Sequence, residues 1–313
     1  MSDRIPWPEG KDFAFSIFDD CDLQTRDNAS DVYAFLADLG FRFTKSVWMF
    51  HGSDAGQAVN PGETCTDAAY LDWVLHLKEQ GFEIGLHNVT YHTSTRAETA
   101  RGIDDFLKIF GRYPSVLTNH TGCREGMYWG DARLSGANRA LYNLLLRNRN
   151  KGLYQGHVEG SPLFWGDLCR ERIKYVRNFV FGDINTLRAC PHMPYHDPRR
   201  PFVNSWFASS EGPDVGTFNA TVSELDQDRL ASAGDACIMY THLAKGFLQG
   251  RRIEPRFKTL MERLSRMNGW FVTVGALLDY LLEVRGRYQL TGRDRRRLER
   301  RWLAHKIRVR GTT

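Results

Sequence analysis

Two adjacent carboxylates, Asp19 and Asp20, close an apolar run, Phe13-Ala14-Phe15-Ser16-Ile17-Phe18. Carboxylates side by side repel each other, so one of them needs a proton or a cation. Three more apolar stretches end in ligand-type side chains: His87 after residues 82–86, Asn119-His120 after 115–118, and His242 after 236–241. Histidine and aspartate gathered in one place suit a divalent metal such as zinc, held by imidazole nitrogen and carboxylate oxygen. A carboxylate pair alone would suit glycoside cleavage, but adjacent residues of a strand face opposite ways and cannot flank one bond. The plainer reading is a strand followed by an acidic turn, and Asp22 is read as a turn residue that competes with Asp19 for a role. His51, His76, His157, His192, His196 and His305 lack a strand-tip position and are read as structural.

The elements that must position these residues alternate regularly. Residues 13–18 read as a strand buried on both faces, because the run is apolar throughout. A helix follows through Val32, Phe35, Leu36 and Leu39, with its cap offered by residues 28–31 and its stop at Gly40. Residues 44–50, 82–86 and 115–118 read as the next three strands. Helices between them run through Leu71, Val74, Leu75 and Leu77, and through Ile103, Phe106, Leu107 and Phe110 behind the capping box Thr95-Arg96-Ala97-Glu98. Late in the chain come helices over 222–231, 257–267 and 274–284, a strand over 236–241 and a brief one at 271–272. This is the signature of a parallel α/β sheet or barrel, in which all strand tips open on one rim and the four polar tips converge. Residues 138–147 read as helical and 173–181 as partly extended. Residues 186–217 show no period, and so long a loop in a compact domain covers a site or is functional.

The six cysteines are scattered, with no Cys-x-x-Cys pair, so neither a zinc ribbon nor a redox motif is indicated. No apolar leader region and no run of about 18 apolar residues is visible, which leads to the expectation of a cytoplasmic protein with reduced thiols. The net charge is +5, but the positive charge gathers over residues 285–310, so the body is near neutral and gives no strong nucleic-acid signal.

Phe18-Asp19-Asp20, the segment Gly85-Leu86-His87-Asn88-Val89-Thr90-Tyr91-His92-Thr93-Ser94 and the late Tyr240-Thr241-His242 resemble the polysaccharide deacetylase (NodB-homology) family. The resemblance covers the N-terminal third and residues 236–280. It implies a distorted (β/α) barrel of seven or eight parallel strands and a metal-dependent hydrolase that removes acetyl groups from amino sugars or carbohydrates. Carried over, Asp19 is the catalytic base, Asp20, His87 and His92 are the metal ligands, and His242 is the general acid. The metal would activate water and polarise the acyl carbonyl. Asp19 would accept a proton, and His242 would give one to the leaving group.

The chain departs from the family pattern in two places. Four residues separate His87 from His92 where the family has three. On one helix this leaves the two imidazoles about 140° apart, so both reach a metal only if His87 ends the strand and His92 starts the helix. The family's Arg-x-Pro follows the fourth strand, whereas Arg112-Tyr113-Pro114 precedes it here, and Asn119-His120 stands in its place. His120 is therefore a candidate replacement ligand or substrate group, and Asn119 a candidate substrate or supporting group. In the aromatic middle segment, Asp167 and Arg177 are candidate groups that orient the ligands. The reading divides the chain into a barrel, 1–286, and a basic tail, 287–313, with Leu298, Trp302, Leu303 and Ile307 on one helical face. That face either docks on the barrel or makes a peripheral membrane contact. The alternative function is a glycan- or partner-binding protein of the same fold without turnover.

Overall fold

The computed structural model describes residues 5–52 and 58–309; part of the loop after the second strand and the last four residues of the tail lie outside them. Seven parallel strands close on themselves: β1 (Phe13–Asp19), β2 (Thr44–Val47), β3 (Glu83–His87), β4 (Val116–Thr118), β5 (Tyr175–Phe181), β6 (Ser205–Glu211) and β7 (Ala236–Thr241). Neighbours pair in that order, and β7 returns to β1 along its length, from Ala14↔Ala236 to Asp19↔Thr241. The strand Gly269–Phe271 adds to the start of β1. The expected (β/α) barrel is thus the architecture, with seven strands in the ring.

Helices α1 (Arg26–Asp38), α2 (Ala68–Glu79) and α3 (Arg96–Phe110) cover the outside. α1 begins earlier than the cap reading at 28–31, because Thr25 and Asn28 form the capping box. The Thr95–Glu98 box opens α3 as expected. The unread stretch 186–217 holds β6, whose partner β5 carries a bulge between Arg177 and Phe179.

Side chains of β1 alternate between two cores, as a strand requires. Phe13, Phe15 and Ile17 join Val32, Tyr33 and Leu36 of α1 in the outer layer. Ala14 and Phe18 join Leu86, Leu117 and Val176 in the other. The C-terminal helix, Gly292–Val309, packs Leu298, Trp302 and Leu303 out of water. Glu211 at the tip of β6 accepts from Lys306 at 2.8 Å and also pairs with His305. Three of the four residues of the expected apolar face are therefore buried in the molecule, with Ile307 left exposed, and a membrane contact through this helix has no support. No helix among the described residues is long and apolar enough to cross a membrane. The six cysteines are buried free thiols.

Candidate active site

The register of the ring sets the tips of β1, β3, β4 and β7 on one rim: Asp19 lies beside Thr241, and His87 beside Thr118. A cavity of about 250 Å³ opens there, lined by Asp20, Asp22, His87, His120, Arg177 and His242 among others. Asp22, His87 and His120 bring one ligand atom each within 4.8 Å of one another, as do Asp20, Asp22 and His242.

The hydrogen bonds fix the tautomers. Thr118 Oγ1 donates to Asp20 Oδ1 at 3.0 Å, so it accepts from His87 Nδ1 at 2.8 Å. The proton of His87 is then on Nδ1 and its Nε2 lone pair faces the cavity. His120 Nε2 donates to the Val59 carbonyl at 2.9 Å, which leaves a lone pair on Nδ1. Those two lone pairs point at each other across 2.9 Å, and Asp22 Oδ2 is 3.0 Å from His87 Nε2. Two imidazole lone pairs and a carboxylate facing one point need a cation between them. The donor set fits a divalent metal, with outer partners of the kind that orient metal-binding histidines.

Asp20 is also held by Arg177, at 2.5 and 3.2 Å. Burial opposes its ionisation, but Arg177 first, then His87 and His242, hold the carboxyl below its usual range. Burial opposes the ionisation of Asp22, but the imidazoles of His120, His242 and His87 beside it hold its carboxyl well below the usual range. His242 donates from Nδ1 to the Pro213 carbonyl at 2.6 Å, and its Nε2 is 3.3 Å from Asp22. Burial lowers the basicity of His242, but Asp22 more than compensates and the net shift is upward.

Three expected residues lie elsewhere. Asp19 belongs to the outer face of β1: its carboxylate accepts from Tyr33 Oη at 2.5 Å, Gln24 Nε2 at 2.6 Å and the Leu243 amide at 2.7 Å. It does not line the cavity, because one step along a strand reverses the side chain. His92 is not brought to the cluster either. Asn88, in the left-handed region at φ 52°, turns the chain off β3. His92 then points its Nδ1 at the Thr93 carbonyl and packs its ring against Gly52, where any Cβ would collide with it. It precedes α3 by four positions instead of starting it. Asp167 makes a bidentate pair with Arg96, both half-exposed, away from the site. Asn119 lines the cavity and braces the following loop through both polar groups of Met127's backbone.

Asp22 stands at the centre of the cluster although its surroundings in the sequence read as a turn. The signal that could have found it is the spacing Asp20-x-Asp22, which returns a side chain to the same side if the chain stays extended. Glu125 has no such signal. It is buried, accepts from Asn88 Nδ2 at 2.6 Å and from the Ser94 amide at 3.2 Å, and so clamps the loop between β3 and α3. Burial pushes its carboxyl up to about 7.

No family model and no curated protein matches the chain. Solved structures do. A protein described as a polysaccharide deacetylase from Mycobacterium smegmatis superposes with a TM-score of 0.52 at 11% identity, over 92% of this chain and 96% of its own. Puue allantoinase gives 0.52 at 11% identity, over 90% and 94%. A protein described as a polysaccharide deacetylase from Pseudomonas aeruginosa PAO1 gives 0.50 at 10%, over 90% and 94%. The chain thus has the fold of polysaccharide deacetylases and of an allantoinase, across nearly its whole length.

Proposed function

We propose that the protein is a metal-dependent hydrolase that removes an acetyl or other acyl group from an amino sugar or carbohydrate. The observation that carries this reading is the convergence of the His87 and His120 lone pairs with the Asp22 carboxylate in a cavity on the rim of the barrel. The fold is supported by neighbours described as polysaccharide deacetylases and by one described as an allantoinase.

In this reading Asp22, His87 and His120 hold the metal, a divalent ion such as zinc. When bound, it would supply an activated water and a polarised acyl carbonyl. Asp20 is the carboxylate on the cavity side of β1 and takes the part of the proton acceptor, aimed by Arg177 and Thr118. His242, its Nδ1 anchored on Pro213, keeps a proton on Nε2 for the leaving nitrogen or oxygen. Thr118 and Val59 keep the two ligand imidazoles in the tautomer that binds a cation.

The test is acetate release from N-acetylated sugars by zinc-loaded protein. Asp20→Asn and His242→Asn are each expected to lower kcat/KM by about 10²-fold or more, with metal still bound. A second reading, a sugar binder without turnover, is favoured by the bidentate hold of Arg177 on Asp20, which weakens that carboxylate as a base. Sugar binding with no acetate release from any loaded preparation would select it.

A further inference from the structure

Arg133 is a buried cation with no acceptor. It ends the short turn Gly130–Arg133, is 1% exposed, and none of its three guanidinium nitrogens makes a hydrogen bond among the described residues. Every other buried cation there has one. Lys45 has Gln24, Arg177 has Asp20, Arg200 and Arg295 share Asp197, and Lys306 has Glu211. The Arg133 guanidinium lies 3.2 Å from the centroid of the Trp129 ring and 5.0 Å from that of Trp302. The charges of Arg177 and Lys306 repel it. A buried charge without a partner is costly, and a fold normally supplies the missing acceptor.

Arg133 does not line the active-site cavity, but its charge stands one indole ring behind the wall. Trp129, on which Arg133 stacks, lines that cavity, and so do Arg177 and Tyr240. On the rim, Lys245 lines the same cavity, and its ammonium has no carboxylate or hydrogen-bond partner among the described residues. Two positive charges therefore stand uncompensated on this cavity, one behind its wall and one at its mouth. A metal on Asp22, His87 and His120 would add to the imbalance, since Asp20 is already matched by Arg177.

We propose that the ligand of this cavity carries an anionic group, a phosphate or a carboxylate, whose charge is balanced by Arg133 behind Trp129 and by Lys245 at the rim. This rests on the hydrolase reading only for the choice of a sugar as the ligand's body, not on turnover. Full-length protein is titrated, by tryptophan fluorescence and calorimetry, with N-acetylglucosamine, N-acetylglucosamine 1-phosphate and N-acetylmuramic acid. At least one of the two charged sugars is expected to bind about tenfold or more tightly than the neutral one, a factor that a single well-placed charge supplies. The stronger of the two tells phosphate from carboxylate. Arg133→Met is expected to lose that preference while binding the neutral sugar as wild type does, and to melt no lower than wild type without ligand. Lys245→Gln is expected to reduce the preference and its dependence on salt. Equal or weaker binding of both charged sugars by wild type overturns the proposal, as does a preference that survives in Arg133→Met. If Arg133→Met does not fold, wild type and Lys245→Gln decide alone. Acetate release plays no part in these readouts, so a failed hydrolase assay leaves the proposal standing and a failed preference leaves the hydrolase reading standing.

Discussion

Thr118 connects two sides of the proposed site through one oxygen, since it donates to Asp20 and accepts from His87. Thr118→Val removes that link without changing the shape of β4. It frees the His87 tautomer, and metal affinity is expected to fall by about 10- to 100-fold, as measured by competition with a chelating dye. Glu125 governs the pH dependence of stability in the loop behind the ligands. Its folded pKa, about 7, lies above the unfolded carboxyl value, so the folded state holds the proton more tightly. The sign follows: this group's contribution is present below pH 4.5 and is lost as pH rises through 7, by about 3 kcal/mol at most. Denaturant midpoints across that range should therefore fall for wild type and stay flatter for Glu125→Gln.

At the scale of the element, β1 decides which carboxylate meets the cavity, and its alternation sends Asp19 to α1 and Asp20 inward. The loop beyond β3 decides which histidine follows His87 into the cluster. These two turns of geometry explain what could be read in advance. The strand tips His87, His120 and His242 were legible, because an apolar run that ends in a polar residue marks a tip whatever the turns do. The choices of Asp20 over Asp19 and His120 over His92 were not. They hang on one residue of strand phase and on the left-handed Asn88, which nothing in its neighbours requires. β6 escaped notice because it is buried on both faces yet mixes Trp206, Phe207 and Ala208 with Ser205, Ser209 and Ser210, so it shows neither an apolar run nor an alternation. The C-terminal helix is fixed by Asp197, which is buried between Arg200 and Arg295. Asp197→Ala leaves two buried arginines facing each other and is expected to cost about 3–5 kcal/mol in urea unfolding.

For the whole molecule, β7 closing on β1 joins the first and last thirds of the chain, so the site exists only when the ring is complete. The C-terminal helix caps that assembly with Trp302, fully buried against Phe179 of β5 and Tyr142. The spacing of Leu298, Trp302, Leu303 and Ile307 already set one apolar face on this basic helix with docking as one outcome, and the first three are buried in the structure. Removing residues 287–313 is expected to abolish cooperative unfolding in calorimetry, whereas an independent tail would leave the melting curve unchanged. The central claim is narrower: Asp22, His87 and His120 together hold one divalent ion. Calorimetric titration of zinc into metal-stripped wild type, His120→Ala and His92→Ala tests it directly. The account predicts one site per chain in wild type and in His92→Ala, with binding lost or weakened at least about 100-fold in His120→Ala. Full-strength binding in His120→Ala together with its loss in His92→Ala would contradict it.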